Sequence, residues 1–108
     1  MKSLKDVIPD PQKVVELEPE ELGKHVLHVL HSGEGSEIKR KEISKTLASH
    51  YHPDFHHAVS HAIEEALGWL AQQCLMGASP YDQDLIFLTR RGKKVAGDYL
   101  EEHPVDIE

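Results

Sequence analysis

The sequence predicts a mainly helical α+β domain: three helices, a loop, a short strand and a closing helix. Three observations carry that expectation. Apolar residues recur at helical spacing in four segments, proline and glycine punctuate those segments, and one run of β-type residues, LIFLT (85–89), precedes the last of them. The chain has 108 residues, enough for a single hydrophobic core and too few for two.

Residues 1–16 form an N-terminal arm by composition, with Pro9 and Pro11 close together among Leu4, Val7, Ile8, Val14 and Val15. One short helical turn is expected there, packed on the body or on a partner. The domain proper is expected over 17–101. Its first helix begins near Pro19, where proline's fixed φ and the acids Glu20 and Glu21 suit a helix N-terminus. Leu22, Val26, Leu27, Val29 and Leu30 continue it, and the glycines of HSGEGS (31–36) end it. Ile38 stands alone and suits a short strand. Ile43 and Leu47 are an i, i+4 pair on a second helix over roughly 40–50, which Pro53 breaks.

The third helix, about 54–75, has the clearest pattern. At about 100° per residue, Phe55, Val59, Ala62, Ile63, Ala66 and Leu70 fall in one apolar arc, flanked by Leu67 and Trp69. MGASPYDQD (76–84) is a turn by composition. Thr89 can cap the closing helix, Arg90 to about Glu101, whose buried side is Val95, Ala96, Tyr99 and Leu100. An acidic tail is expected at 102–108.

Composition excludes several function classes. Hydrophobic residues are 39% and charged residues 29%, ordinary for a globular domain. The formal net charge of −7 disfavours a surface that binds nucleic acid or anionic lipid all over. No apolar run approaches the roughly 20 residues of a spanning helix, and MKSLKDVIPDPQK lacks the apolar core of a signal peptide. The single Cys74 cannot form an internal disulfide, so a reducing, cytoplasmic setting is expected and no membrane partner.

The stretch LGWLAQQCLMGASPYDQDLIFLTRRGKKVA resembles the end of many bacterial winged helix-turn-helix domains, where a helix closes in "L…GL", a hairpin follows and "LTxxG" opens a last helix. Leu70, Leu75 and Met76 carry the first part here, and Leu88, Thr89 and Gly92 the second. EALGWL (65–70) resembles the same family, and the resemblance covers about 17–101. It implies a three-helix core plus a C-terminal helix, a hairpin wing, and a fold used most often to bind DNA through the third helix in the major groove.

The charge pattern departs from that use. Between Thr46 and Thr89 there is no Lys or Arg, while Asp54, Glu64, Glu65, Asp82 and Asp84 are acidic. A major-groove helix offers Arg, Lys, Asn or Gln to base edges and neutralises phosphates. The outward face of this one reads His57, Ser60, His61, Glu64 and Gly68. Cations cluster elsewhere, as Lys39, Arg40, Lys41 and Lys45 at the second helix start, and Arg90, Arg91, Lys93 and Lys94 at the last. Read functionally, these are patches for phosphate or an acidic partner. Read blandly, they are two solvated helix starts that balance the acids.

SHYHPDFHHAVSH (49–61) holds five of the nine histidines. His57, His61 and Glu64 share a helical face and are the nearest approach to a metal set. The H-E-x-x-H spacing is absent, because Ala58 follows His57. His56 falls at the edge of the apolar arc and is expected to be a hydrogen-bonded packing residue, with His50 and His52 in the preceding turn. His25, His28 and His31 are expected on the outer side of the first helix. Crowded imidazoles also suggest a pH-sensitive surface. No phosphate loop and no G-x-S-x-G elbow is present. Cys74 is expected to be a buried structural thiol. The expectation is thus a non-catalytic winged-helix module without a cofactor, whose third-helix face or arm binds a protein partner or a second copy, with Val7, Ile8, Val14, Val15 and the closing helix as dimer surfaces. DNA binding through the basic helix starts is the alternative, and a His-based metal protein or enzyme the minority one.

Overall fold

The computed structural model describes residues 4–32 and 38–102, and the side chains of all of these except 32, 38 and 99–102. The acidic tail from 103 and the glycine turn at 33–36 lie outside the described residues, as do the side chains of Tyr99 and Leu100.

The architecture is mainly helical, as the periodicity predicts, with a small antiparallel sheet whose strand at Met76–Ala78 lies in the stretch expected to be a turn. Helices α1 (Leu4–Val7) and α2 (Pro11–Glu16) lead into α3 (Pro19–Ser32). Strand β1 (Ile38–Lys39), helix α4 (Arg40–Ala48), a 3-10 turn at Pro53–Phe55 and helix α5 (His56–Gln72) follow. Strands β2 (Met76–Ala78) and β3 (Leu85–Leu88) and helix α6 (Arg90–Glu102) complete the order. The sheet runs β1-β3-β2, with Ile38 opposite Ile86 and Met76 opposite Leu88.

α5 is the hub, packing on α3 and α4, and the core closes around it. Val59, Ile63, Ala66, Leu67 and Leu70 are all fully buried. Leu67 therefore lies inside the apolar arc, which widens because α5 has helices on more than one side. α3 likewise packs on both α5 and α6. That double cover draws His28 inward to 8% exposure, away from the outer side expected of it, while His31 stays exposed. Trp69 presses on α3 at Gly23, where a Cβ would come within 2.8 Å of its ring.

The arm belongs to the body. Leu4, Ile8 and Val14 are buried in the common core, which removes Ile8 and Val14 from any surface offered to a second copy; Val7 is half-buried and Val15 exposed. A missed residue holds it there. Tyr51, in the turn after α4, is buried and donates its hydroxyl to the Ile8 carbonyl at 2.6 Å. Burial, with Asp6 carboxylate repulsion added, pushes its phenol from 10.0 up to about 12. The fold thus favours the neutral phenol. Its stabilising contribution is complete below pH 10 and is lost as pH rises through about 12. Tyr51→Phe is expected to cost about 1–2 kcal/mol at neutral pH, because the buried carbonyl loses its donor. Denaturant melts from pH 8 to 12 should also show the variant losing less stability than the parent across the alkaline window.

The end of α5 explains why Cys74 is exposed and not buried as expected. The Cys74 N–H donates to Ala71 and the Leu75 N–H to Leu70, the bond pair of a Schellman cap. The cap turns the chain at Cys74, at φ 60°, and swings its side chain outward while Leu75 tucks back into the core. Glycine normally occupies that left-handed position. Cys74→Gly is expected to raise stability by about 1 kcal/mol, read as a higher denaturation midpoint with unchanged slope.

Candidate functional site: the α4–α5–hairpin surface

Three elements meet at the start of α4. The Arg40 N–H donates to the Asp84 carbonyl at 2.7 Å, and the Lys41 N–H to Asp84 Oδ1 at 3.4 Å. Asp84, at the foot of the β2–β3 hairpin, thereby satisfies donors at a helix start whose own Lys39 contributes no side-chain cap. The Arg40 guanidinium stands 3.6 Å from Glu64 Oε1 on α5, and Ser44 donates its hydroxyl to Glu64 Oε2 at 2.8 Å. Glu64, Arg40, Ser44 and Asp84 thus join the outer face of α5, the start of α4 and the hairpin into one surface.

Charge on this surface is balanced. Lys39, Arg40, Lys41 and Lys45 share the neighbourhood with Glu42, Glu64, Asp82 and Asp84. A phosphate approaching Arg40 would meet a guanidinium already shared with a carboxylate. The second basic group is remote. Lys39 pairs with Leu85 at the beginning of β3, whereas Arg90 follows its far end. At about 3.3 Å per residue the groups lie roughly 15 Å apart, beyond a Debye length of about 8–10 Å. Arg90, Arg91, Lys93 and Lys94 are exposed, and no ion pair to any of them occurs among the described residues.

The histidines divide by depth. His56 is half-buried and its Nε2 is 2.8 Å from the Tyr51 carbonyl, the packing role expected of it. His52 accepts the Asp54 N–H on Nδ1 at 3.1 Å and so caps the 3-10 turn. His57 and His61 are exposed, their ring centroids 4.3 Å apart and tilted by 44°. Ser60 is half-buried. Glu64 is held by Ser44 and Arg40 on the same helix face, and no group of three His, Cys, Asp or Glu residues among the described residues is arranged to hold a metal ion.

The hairpin tip adds a residue that pattern reading passed over. Tyr81 is 94% exposed on an ordered turn, where the Ser79 hydroxyl accepts its N–H at 3.2 Å and Asp82 accepts the Asp84 N–H at 2.9 Å. The signal was an aromatic inside a Pro/Asp/Gly turn, which has no helix or strand face to bury it. A separate groove of about 650 Å³, lined by Val7, Pro9, Lys13, Leu17 and His25 among others, runs along the arm. No helix among the described residues is long and apolar enough to cross a membrane.

Comparison of the chain with protein-family models, with curated proteins and with solved structures finds no match.

Proposed function

We propose that the chain is a non-catalytic winged-helix module that uses the outer face of α5 and the hairpin tip to bind protein, a partner or a second copy, and not to read DNA. The order helix–strand–helix–helix–hairpin, with β1 laid against β3, supports the winged-helix reading. The observation that carries the functional reading is Glu64. It stands mid-way along the helix that would enter the major groove, where it places a carboxylate in the position a DNA reader gives to a cation, and it takes up the guanidinium nearest that face, Arg40 at 3.6 Å, with Ser44 at 2.8 Å. Tyr81 supports protein recognition, because an exposed aromatic at the tip of a hydrogen-bonded turn supplies a large contact area with only two side-chain torsions to order. The lone, exposed cysteine fits a reducing, cytoplasmic setting.

A second reading rests on the four exposed cations opening α6, where the helix dipole also disfavours positive charge. Docking on a polyanion would relieve both. Retention on immobilised heparin separates the readings. The protein-binding reading expects the chain to pass through at about 50 mM salt, and retention that vanishes in Arg90→Ala/Arg91→Ala would favour the second.

A further inference from the structure

We propose that the outer face of α5 holds a divalent transition-metal ion, zinc in the first instance, between two copies of this chain, each supplying His57 and His61. This rests on reading that face as a protein-contact surface and names one occupant for it. The pair has the placement a chelate needs. Both rings are exposed, one helical turn apart, and already in contact with centroids 4.3 Å apart. Two nitrogens bound to one tetrahedral zinc at 2.0–2.1 Å stand about 3.3 Å apart, which rings on adjacent turns reach by side-chain rotation. Imidazole suits zinc, copper and nickel, and does not suit the hard cations.

One chain cannot complete the coordination. The carboxylate next along the face, Glu64, is engaged by Ser44 at 2.8 Å and Arg40 at 3.6 Å, and no three-ligand group exists among the described residues. Zinc prefers four ligands, so two positions remain open. A copy related by a two-fold axis supplies the same two nitrogens through the same surface, and the set closes with no third copy. The helix face allows the approach. Gly68, two turns beyond His61 on the same line, leaves open space above its backbone, and Ala58 beside the pair is short. The ion's charge also offsets the Glu64 and Glu65 carboxylates that two copies bring together.

The test is a zinc titration of untagged, chelator-stripped protein followed by sedimentation velocity. The expected result is a doubling of mass that saturates at one zinc per two chains and reverses with EDTA. His57→Gln and His61→Gln should each weaken the zinc-dependent dimer by roughly tenfold or more, while His50→Gln/His52→Gln leaves it unchanged. Circular dichroism checks that each variant keeps its helices. One zinc per chain without a change of mass would mark an adventitious ion and overturn the proposal. No zinc binding, or a zinc dimer that survives His57→Gln/His61→Gln, would overturn it too. Binding of DNA, measured without zinc, bears on the protein-binding reading alone, so the two failures are distinguishable.

Discussion

Gly92→Ala is expected to destabilise the domain by about 3 kcal/mol, the size of effect that overpacking against rigid backbone produces. Gly92 lies in the first turn of α6, where the helix start meets the end of α5. A Cβ there would overlap the Leu75 carbonyl oxygen and approach its carbonyl carbon to 3.0 Å. Leu75 cannot yield. Its own N–H closes the cap of α5, its carbonyl accepts the Thr89 N–H at 3.1 Å, and its side chain is in the core. Thr89 adds two ties, donating its hydroxyl to the Cys74 carbonyl and accepting the Gly92 N–H. Any shift that makes room for a methyl group therefore breaks bonds at the start of α6. Urea unfolding measures the loss. A change under about 0.5 kcal/mol would mean that α6 is not seated on Leu75 as described.

Leu4→Ala should cost about 2–3 kcal/mol, which is large for a residue so near the chain's beginning. Leu4 is fully buried beside Ile8 and Val14, and removing its isobutyl group leaves a cavity that the short α1 must collapse to fill. Detachment of the arm caps the penalty, because losing α1 outright would forfeit the Tyr51–Ile8 hydrogen bond and expose part of the core. An arm that merely lay on the surface would show a loss within about 0.5 kcal/mol. Amide exchange in α1 and α2 distinguishes the cases, since protection there should fall in the variant before that of α5.

Most of the fold was legible because most of it is amphipathic helix. The α3 residues Leu22, Val26, Leu27, Val29 and Leu30 are all buried, as their spacing required. The "LTxxG" pattern has a physical basis in Thr89, which caps α6, and Gly92, which allows its close approach. Features that depended on tertiary partners were not legible. Composition marked 1–16 as an arm packed on the body or on a partner, and the choice between them rests on Tyr51, forty-three residues from Ile8, which ties it to the body. The apolar neighbours of Cys74 suggested burial, but a cap geometry that usually requires glycine turned it outward. At the candidate site, local spacing placed His57, His61 and Glu64 on one face. It could not show that Glu64 is claimed by Arg40 and Ser44, which come from another helix. That long-range pairing removes a metal ligand and neutralises a cation at once.

The most direct measurement is fluorescence anisotropy of a labelled generic DNA duplex titrated with the chain at about 50 mM salt, where phosphate affinity is high. A locked Glu64, an α5 face without Lys or Arg, and basic groups too far apart to add predict no rise in anisotropy at protein concentrations up to about 10⁻⁴ M, the weak end of ordinary non-specific binding. Saturable binding that weakens steeply with salt would contradict the account, and would do so most sharply if Glu64→Gln strengthened it.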